Sequence, residues 1–565
     1  MADIRENKDL RNLPACVCEF IRGVVKKMRY RRKVRQDVQN ELTVHFEDEL
    51  KGCPSDQQKE QKARRLIAAF GDPELLAVLL RRAKRRCRPL WRTVVARTFQ
   101  TVGVLVLCLI VYTIWFMSGK PSIRVDYLAQ LNQMSRPPLR DEDNAWPHYK
   151  KAIQLFVEPD EELGKSDAFR SSGEQADRSF SKLARQEQEE ISKWIEQNVS
   201  AWQEFEAGSS KAYCYKEHQY SSENPNDRLL LCVTLPHLQV LKSLAKLGTW
   251  RARAAVSRGD TRPALEDCLT VARAGSHWQG KGTLIEQLVG LAISRLGREE
   301  LLHLAATQNL SAADLKQLHQ QLAQIYPQGC RLVDIESERL GFLDIVQHVF
   351  TDGGLGGGHL IPKQLTTVGD VGENAGGSGS HEFELMLSTA AGMIHARRDA
   401  TVAVFNAAFD KMSEIAKLTP YQRQACSIHV EDALLAVPKY RYFLIHLFLP
   451  ALGRVSELAY CDKASHEATV TILALKRWHL EKNAYPATLD ELVGAGYLKE
   501  LPMDPYSDRP LIYKRTDDDF VLYSVGSNFT DDGGVSGKDR EGQPRSWRDN
   551  GDTLFWPVLE AKANK

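Results

Sequence analysis

The 565-residue sequence lacks the short motifs that mark the common catalytic and metal-binding families. Its 11 cysteines include no C-x-x-C pair, which excludes a zinc ribbon and a thioredoxin-like dithiol. It contains no G-x-S-x-G nucleophile elbow. Neither His381-Glu382 nor His466-Glu467 is followed by the second histidine of an H-E-x-x-H zinc site. We therefore expect no catalytic residues, no cofactor beyond the calcium discussed below, and no enzymatic activity.

Two weaker patterns stop short of a site. Residues 275–282 nearly spell a phosphate-binding loop, but a glycine replaces the hydroxyl residue that holds magnesium, and a predicted helix precedes the stretch. Chance is the better account. Asp344 with His348, and Asp334 with Glu338, are each spaced by one helical turn. Either pair could ligate a metal, although ion pairing and helix solvation are the commoner uses of this spacing.

Charge is distributed unevenly along the chain, although the formal net charge is only +2. Residues 1–97 hold 24 Lys and Arg against 13 Asp and Glu, a net charge of +11. The remaining residues hold 51 against 60, a net charge of −9. A basic head and an acidic remainder indicate two different surroundings.

Residues 98–119 carry no charge at all. A helix of that length reaches about 33 Å, enough to cross a hydrocarbon core of about 30 Å. Tyr112 and Trp115 near its far end suit an interfacial aromatic belt. A buried core helix is the weaker alternative, because core helices of this length keep a polar face. We predict one transmembrane helix over residues 97–119, with the lipid bilayer as its partner.

The flanks of this segment predict its orientation. The stretch Arg81–Arg97 contains eight cations and no acidic residue, whereas only Lys120 and Arg124 follow closely after the segment. The positive-inside rule then places the N-terminus in the cytoplasm and the C-terminus outside the inner (cytoplasmic) membrane. Arg81–Arg97 is expected to contact anionic lipid head groups. With a charged head before it, the segment is predicted to be an uncleaved signal anchor.

Residues 1–90, called the head below, are predicted to form a cytoplasmic helical bundle. Gly52-Cys53-Pro54 breaks the chain, and Phe70-Gly71-Asp72-Pro73 ends one helix and starts the next. This order of helices, followed by a basic stretch and a span, resembles the helical domains that precede membrane segments in bacterial signalling proteins and permease prefixes.

The head also contains a cluster of basic residues that could contact nucleic-acid phosphates: Arg29, Arg31, Arg32, Lys33 and Arg35. No recognition motif accompanies this cluster. Docking on anionic lipid is the favoured interpretation, and we expect no nucleic-acid partner.

Residues 123–462, called the body, are predicted to form an irregular α-helical domain of stacked hairpins outside the membrane. The clearest turn lies at Gly259–Ala264, where glycine closes one helix and Asp260 or Thr261 caps the next. Ten glycines within residues 352–380 predict a flexible loop between helices. The other predicted body helices include Ser179–Phe205, Arg228–Arg258, Cys330–Phe350 and Tyr421–Leu447.

Residues 463–565, called the module, change in character. An amphipathic stretch over Ala464–Glu481 precedes two strand-like runs, Leu511–Tyr513 and Phe520–Tyr523, which predict a β-hairpin. A segment with Pro486, Pro502 and Pro505 lies between the amphipathic stretch and the first strand-like run, and the acidic turn Asp531-Asp532-Gly533-Gly534 follows the second run. This order resembles the C-terminal domain of the type II secretion major pseudopilin. The leader and the N-terminal membrane helix of that family do not match here, so assembly into a pilus is not implied.

The pseudopilin resemblance implies a calcium site in the loop after the final strand. Asp531 and Asp532 match the acidic loop of that family most directly, and Asp552 would be a weaker third ligand. Calcium takes six to eight oxygen ligands, so carboxylates and carbonyls of this loop could hold it. The alternative is an ordinary turn, in which Asp-Asp-Gly-Gly serves only backbone freedom.

The fold class predicted for the whole chain is mainly α: a helical bundle, one transmembrane helix, an irregular helical domain and a small α+β module. This architecture resembles large envelope proteins of planctomycete-type bacteria. The predicted function is that of a single-pass membrane protein with a binding or scaffold region outside the membrane, and an envelope or secretion-related protein as partner. The alternative is a transmembrane signalling component whose head binds a cytosolic regulator.

Overall fold

The computed structural model describes residues 12–558, apart from residues 87–89, 167–168, 170–179, 221–227, 234, 328, 354–356, 366–388, 430–431, 450–451 and 541. The chain separates into two compact units, Met1–Trp115 and Phe116–Lys565. The structure is mainly helical with a small strand region near the C-terminus, which confirms the predicted fold class at that level.

The first unit is a bundle of four helices followed by a longer apolar helix. Its helices are Ala15–Lys27, Arg32–Leu50, Asp56–Phe70, Pro73–Arg86 and Leu90–Met117, the last of which continues into the second unit. The predicted breaks are confirmed: one helix ends at Leu50, just before Gly52, and another ends at Phe70, where Gly71 takes a φ of +73°. Apolar side chains from the first four helices meet in one core around Phe20 and Phe46.

Among the described residues, two stretches are long and apolar enough to cross a membrane. Val94–Met117 has a mean hydropathy of 2.1, and no residue of its most apolar window is buried. Phe443–Lys482 has a mean hydropathy of 1.2, and 53% of its most apolar window is buried. Ile472 and Leu475, which belong to the second stretch, pack in a core with Leu522. Burial of this kind is typical of a core helix of a folded unit, whereas the first stretch presents apolar side chains on all sides.

The second unit is built from helices of very different lengths. Those of nine residues or more are Tyr127–Ser135, Trp146–Leu155, Arg185–Gln197, Val199–Ser209, Pro236–Ser257, Thr261–Ser276, Leu284–Thr307, Ala312–Ala323, Glu336–Val349, Arg398–Ala416 and Leu452–Lys482. Shorter helices are Glu161–Lys165, Pro420–Ala425, Asp432–Leu435, Phe443–Phe448 and Leu489–Gly494, and single 3₁₀ turns are Asp141–Asp143, Phe180–Lys182 and Leu230–Cys232. The predicted turn at Gly259 is confirmed, with a φ of +85° there.

A close helix pair supports the site described below. Helices Thr261–Ser276 and Leu284–Thr307 approach until their backbones touch, because glycines line the crossing. A Cβ at Gly290 would lie 2.7 Å from the Gly275 carbonyl oxygen, and one at Gly297 would lie 2.6 Å from the Ala272 nitrogen. Neither distance can be met by a real Cβ atom, so this crossing requires glycine. The connection between the two helices, residues 277–283, is therefore held on a rigid hairpin.

Two long predicted helices are wrong, because tertiary contacts interrupt them. The predicted helix Ser179–Phe205 is broken at Asn198, whose amide oxygen accepts from the Val157 nitrogen at 2.8 Å and whose amide nitrogen donates to the Val157 oxygen at 3.0 Å. The predicted helix Tyr421–Leu447 is three short helices, broken where Ser427 takes a φ of +51° and again near Pro438, which lacks an N–H.

Two further predicted helices begin later than expected. The predicted helix Arg228–Arg258 starts at Pro236, a residue suited to the first turn, and the predicted helix Cys330–Phe350 starts at Glu336.

The predicted flexible loop over residues 352–380 is wrong for part of its length. Leu360 pairs with Phe350 in an antiparallel bridge, and both Leu360 and Ile361 are buried. The glycines supply the tight turn before this bridge, where Gly358 takes a φ of +101°. The free energy gained by burying these two apolar side chains exceeds the entropy cost of ordering a glycine-rich backbone. Residues 366–380 lie outside the described residues.

The C-terminal part contains five short antiparallel strands. Strands β1 (Met503–Asp504) and β2 (Arg509–Pro510) pair with each other. Strands β3 (Ile512–Arg515), β4 (Phe520–Ser524) and β5 (Thr553–Trp556) form a sheet in that order. The predicted hairpin is confirmed as β3 and β4, and β5 is a strand that the sequence patterns did not predict. Helix Leu452–Lys482 packs against this sheet and runs through residues 462 and 463, so body and module share one helix.

Candidate functional site

The second unit contains a cavity of about 470 Å³ beside the helix pair. Four stretches of chain build its wall: residues 135–139, 209–218, 273–286 and 321–331. Its volume falls in the range of small-molecule sites, roughly 300–1,000 Å³. The Gly-rich connection at residues 277–283 forms one side, where Gly280 and Gly282 take φ values of +78° and +88°.

Cations dominate the charged side chains of this wall. The five cations are Lys211, Lys216, Arg273, Lys281 and Arg331. The one carboxylate among the described lining residues is Glu286. Arg273 pairs with Glu266 outside the cavity at 3.4 Å. Within the described part of the chain, no carboxylate lies within 4.0 Å of the Lys216, Lys281 or Arg331 side-chain nitrogens. The cavity is therefore electropositive, although the second unit as a whole carries a net negative charge.

Burial makes this positive charge costly. Lys216 is half-buried, and burial lowers the pKa of its ammonium, although Glu286 acts in the opposite direction. The Lys211 ammonium donates to the Glu142 carbonyl at 3.0 Å, and Arg331 donates to the Gln279 carbonyl at 3.3 Å. Carbonyl partners solvate a cation without neutralising it. An anion in the cavity would supply the missing negative charge.

Glu286 is fixed by hydrogen bonds from three directions. Its carboxylate accepts from the Thr283 nitrogen at 2.9 Å and from the Thr283 hydroxyl at 3.0 Å, which caps helix Leu284–Thr307. The His218 Nε2 lies 2.9 Å from both carboxylate oxygens, and the His237 Nε2 lies 3.6 Å from one of them. Burial acts to raise the pKa of Glu286, but the hydrogen bond from His218, together with the nearby His237 ring and the Thr283 donors, holds it well below its usual range. This carboxylate is a fixed part of the wall and is not a free base.

The floor of the cavity offers neutral polar groups. The Gln279 amide oxygen accepts from the Tyr326 hydroxyl at 2.8 Å, whereas its buried amide nitrogen has no hydrogen-bond partner among the described residues. The His277 Nε2 lies 3.0 Å from the Lys211 carbonyl and its Nδ1 lies 2.8 Å from the Tyr149 hydroxyl. Burial lowers the pKa of His277 to about 4, so this ring is neutral at neutral pH. A buried donor without a partner is unfavourable, so an acceptor atom of a ligand at the Gln279 amide N–H would be stabilising.

Part of this site could have been found in the sequence. The stretch 275–282, with its glycines and Lys281 between two helices, is a near-match to a phosphate-binding loop, for which chance is the better account from sequence alone. The structure places this stretch at the cavity wall, although not as that loop, since a helix precedes it. The other cations come from distant segments, and no local pattern brings Lys216 and Arg331 together.

The predicted calcium ligands lie elsewhere, in the loop between β4 and β5. Asp531 accepts from the Tyr523 hydroxyl at 2.8 Å and from the Gly533 nitrogen at 2.9 Å. Asp552 is buried and accepts from the Asp532 nitrogen at 3.2 Å and the Gly534 nitrogen at 2.6 Å. The side chain of Asp532 accepts from the Asn528 amide at 2.7 Å.

Each of these three carboxylates accepts hydrogen bonds from N–H or O–H donors of the loop or of strand β4, an arrangement typical of a hydrogen-bonded turn. Burial raises the pKa of Asp552, whereas the hydrogen bond from Tyr523 lowers the pKa of Asp531. Across the described residues, no group of three His, Cys, Asp or Glu side chains is arranged to hold a metal ion. Calcium binding by this loop stays a prediction.

The two spaced pairs considered for metal binding have structural contacts. Asp344 is buried and accepts from the Leu230 nitrogen at 2.6 Å and from the Gln347 amide at 2.9 Å. The His348 Nδ1 lies 3.7 Å from the Asp344 carboxylate. The Asp334 carboxylate accepts from the Glu336 nitrogen at 2.9 Å. These contacts tie helix Glu336–Val349 to its neighbours.

No family model, curated protein or solved structure matches this chain. The candidate site therefore rests on its own geometry.

Proposed function

We propose that this chain is a single-pass bacterial membrane protein whose helical region outside the membrane binds a small ligand with two or more anionic groups. The ligand site is the cavity between residues 209–218, 273–286 and 321–331. Carboxylates and phosphates are the groups that lysine and arginine bind through charge-assisted hydrogen bonds. A binding protein of this kind needs no catalytic residues.

The observation that carries the proposal is the charge of the cavity wall. Five cations line the cavity, and the one carboxylate among its described lining residues is already held by Thr283 and His218. The cations enter from separate segments, as Lys216 and Arg331 do, so a ligand with one anionic group could satisfy only part of them. The free Gln279 amide N–H adds a neutral donor that could read a hydroxyl or carbonyl oxygen.

The membrane anchor is the second element of the proposal. It is supported by the apolar stretch Val94–Met117, whose most apolar window contains no buried residue, and by the cations of Arg81–Arg97 before it. An exposed apolar helix of 24 residues in water would leave a large unfavourable surface, which a bilayer removes.

The topology gives one direct test. A fluorescent protein that matures only in the cytoplasm, fused after Lys565, should stay dark, because the positive-inside rule places that end outside. The same reporter fused before Met1 should fluoresce and is the matched control. Bright fluorescence from the C-terminal fusion would contradict the proposed orientation and the compartment of the cavity.

The ligand class gives a second test, by thermal unfolding of the detergent-solubilised chain with citrate, pyrophosphate or phosphate at constant ionic strength. At about 100 times its dissociation constant, a ligand adds about 2.7 kcal/mol of stability. We expect a rise in Tm of a few degrees with a polyvalent anion. In the double variant Lys281→Gln and Arg331→Gln that rise should disappear, because each lost charge-assisted bond costs about 1.5–3 kcal/mol.

The control for this test is Arg454→Gln with Lys499→Gln, which removes two exposed cations that do not line the cavity. The control variant should keep the full rise in Tm. An equal rise in both double variants, or none in the wild type with any of the anions, would contradict the proposed ligand class.

A further inference from the structure

A short segment of the second unit exposes large apolar side chains beside cations. Leu435 is 79% exposed, Tyr440 is 88% exposed and Leu447 is 68% exposed. Lys439 and Arg441, which flank Tyr440, are exposed as well. Side chains that combine apolar bulk, an aromatic ring and positive charge are typical of a membrane interface, where the ring sits at the level of the head groups.

The exposed side chains belong to a folded segment and not to a loose loop. The Tyr442 nitrogen donates to the Pro438 carbonyl at 3.1 Å, and the His446 Nε2 lies 2.9 Å from the Val437 carbonyl. The other side of the segment is buried in a large core through Leu434, Val437, Leu444 and Ile445. The segment is thus anchored on its inner side, and its apolar outer side has no cover within the described part of the chain.

The segment is joined to a neighbouring strip that carries a fourth exposed apolar side chain. The Ala396 nitrogen donates to the Arg441 carbonyl at 2.7 Å, and the His395 and Phe443 rings lie 4.8 Å apart. Ile394, which precedes His395, is 63% exposed. We call Ile394, Leu435, Tyr440 and Leu447, with Lys439 and Arg441, the outer face.

The outer face lies close to the point where the chain leaves the apolar helix. Phe116 is buried in the second unit, where its ring stacks on His359 at 4.6 Å and its carbonyl lies 3.1 Å from the His359 Nε2. A Cβ at Gly392 would lie 3.3 Å from the Phe116 ring, so the backbone of Gly392 touches Phe116 directly. Only one residue separates Gly392 from Ile394. Phe116 itself is the residue before the last of the apolar stretch Val94–Met117.

We propose that the outer face rests on the anionic lipid bilayer at the non-cytoplasmic end of the apolar helix, as a second, interfacial membrane contact. This inference rests on the proposed membrane anchor, because it takes the bilayer boundary to lie near Phe116. Continuity with that boundary and the match between Lys439, Arg441 and lipid phosphates identify the bilayer as the occupant. Leu435, Tyr440 and Leu447 enter the head-group region, and the two cations contact phosphates.

The test is photo-crosslinking of the full-length chain in nanodiscs of phosphatidylcholine and phosphatidylglycerol that contain a diazirine lipid. Peptide mapping should find crosslinked lipid on residues 98–117 and on residues 435–447. Peptides with Ile285, which is 60% exposed and precedes the cavity residue Glu286 in the chain, should be unlabelled and serve as the internal control. In the triple variant Leu435→Ser, Tyr440→Ser and Leu447→Ser, labelling of residues 435–447 should fall at least fivefold, with labelling of 98–117 unchanged.

The outcomes separate the two proposals. If residues 98–117 are labelled and residues 435–447 are labelled no more than the Ile285 peptides, the outer face does not contact lipid, and the anchor stands. If residues 98–117 are not labelled, the anchor fails and the interfacial contact fails with it. Because the three substituted side chains are exposed, the triple variant should keep the Tm of the wild type, which confirms that lost labelling does not reflect unfolding.

Discussion

Replacing Arg298 by methionine should destabilise the second unit by about 3–5 kcal/mol. Arg298 is buried, pairs with Asp462, and donates to the Ser294 hydroxyl at 2.6 Å. The pair joins helix Leu284–Thr307, which forms part of the cavity wall, to helix Leu452–Lys482, which packs on the C-terminal sheet. Without the guanidinium, the Asp462 carboxylate would stay buried without its partner, which costs more than the pair contributes.

Two further variants make this prediction specific. Arg295→Met removes a more exposed arginine of the same helix, which pairs with Glu299, and should cost less than about 1 kcal/mol. Arg298→Met with Asp462→Leu removes both charges and should recover most of the loss. Urea unfolding of the detergent-solubilised chain measures all three. A loss for Arg298→Met no larger than that for Arg295→Met would show that the pair does not couple the two helices.

Acidification should weaken the second unit through its buried histidines, and His466→Phe should remove a large part of that effect. Burial lowers the pKa of His466 to about 3 and that of His277 to about 4. In the unfolded chain these rings take up a proton near pH 6.5, whereas in the folded chain they stay neutral. The stability that each contributes is present above pH 6.5 and is lost as the pH falls toward the folded pKa. The loss is at most about 1.4 kcal/mol per pH unit for each ring.

Asp267 acts in the opposite direction, so the test compares variants and not a single pH curve. Burial raises the pKa of Asp267 to about 6, which adds stability as that group becomes protonated. The free energy of unfolding of His466→Phe should rise relative to that of the wild type by about 3 kcal/mol between pH 7 and pH 4.5. His429→Phe, which replaces an exposed histidine by the same residue, is the matched control. Parallel curves for His466→Phe and the wild type would mean that His466 is accessible to protons in the folded chain.

Local patterns were sufficient for elements whose signals are short in sequence. Glycine ended helices at Gly71 and Gly259, and alternating apolar residues marked the hairpin of β3 and β4. The local patterns do not predict β5, because Thr553–Trp556 follows a long polar loop and becomes a strand only by pairing with Ser524 and its neighbours. The prediction of one helix over Ser179–Phe205 is wrong for a similar reason, since Asn198 forms hydrogen bonds with the backbone of Val157, which is distant in sequence.

Most of the candidate site could not be predicted from the sequence, because its charges are assembled from separate segments. Only Lys281 lies in a stretch with a local signal, whereas Lys216 and Arg331 are ordinary lysine and arginine residues by any local pattern, and only the fold places them around one cavity. Glu286 begins a helix as part of a capping box, a pattern visible in the sequence, but its contact with His218 requires the tertiary structure. The three aspartates that the pseudopilin resemblance suggests lie in a loop whose backbone N–H groups donate hydrogen bonds to Asp531 and Asp552.

Native mass spectrometry of the full-length chain, extracted from bacterial membranes in polymer nanodiscs, tests the central claim most directly. The wild type and the Arg454→Gln, Lys499→Gln control should retain a small anionic species that dissociates at high salt, because charged contacts are screened. The Lys281→Gln, Arg331→Gln variant should lose that species. The same bound mass in all three proteins, or a bound species without anionic groups, would contradict an anion-binding cavity.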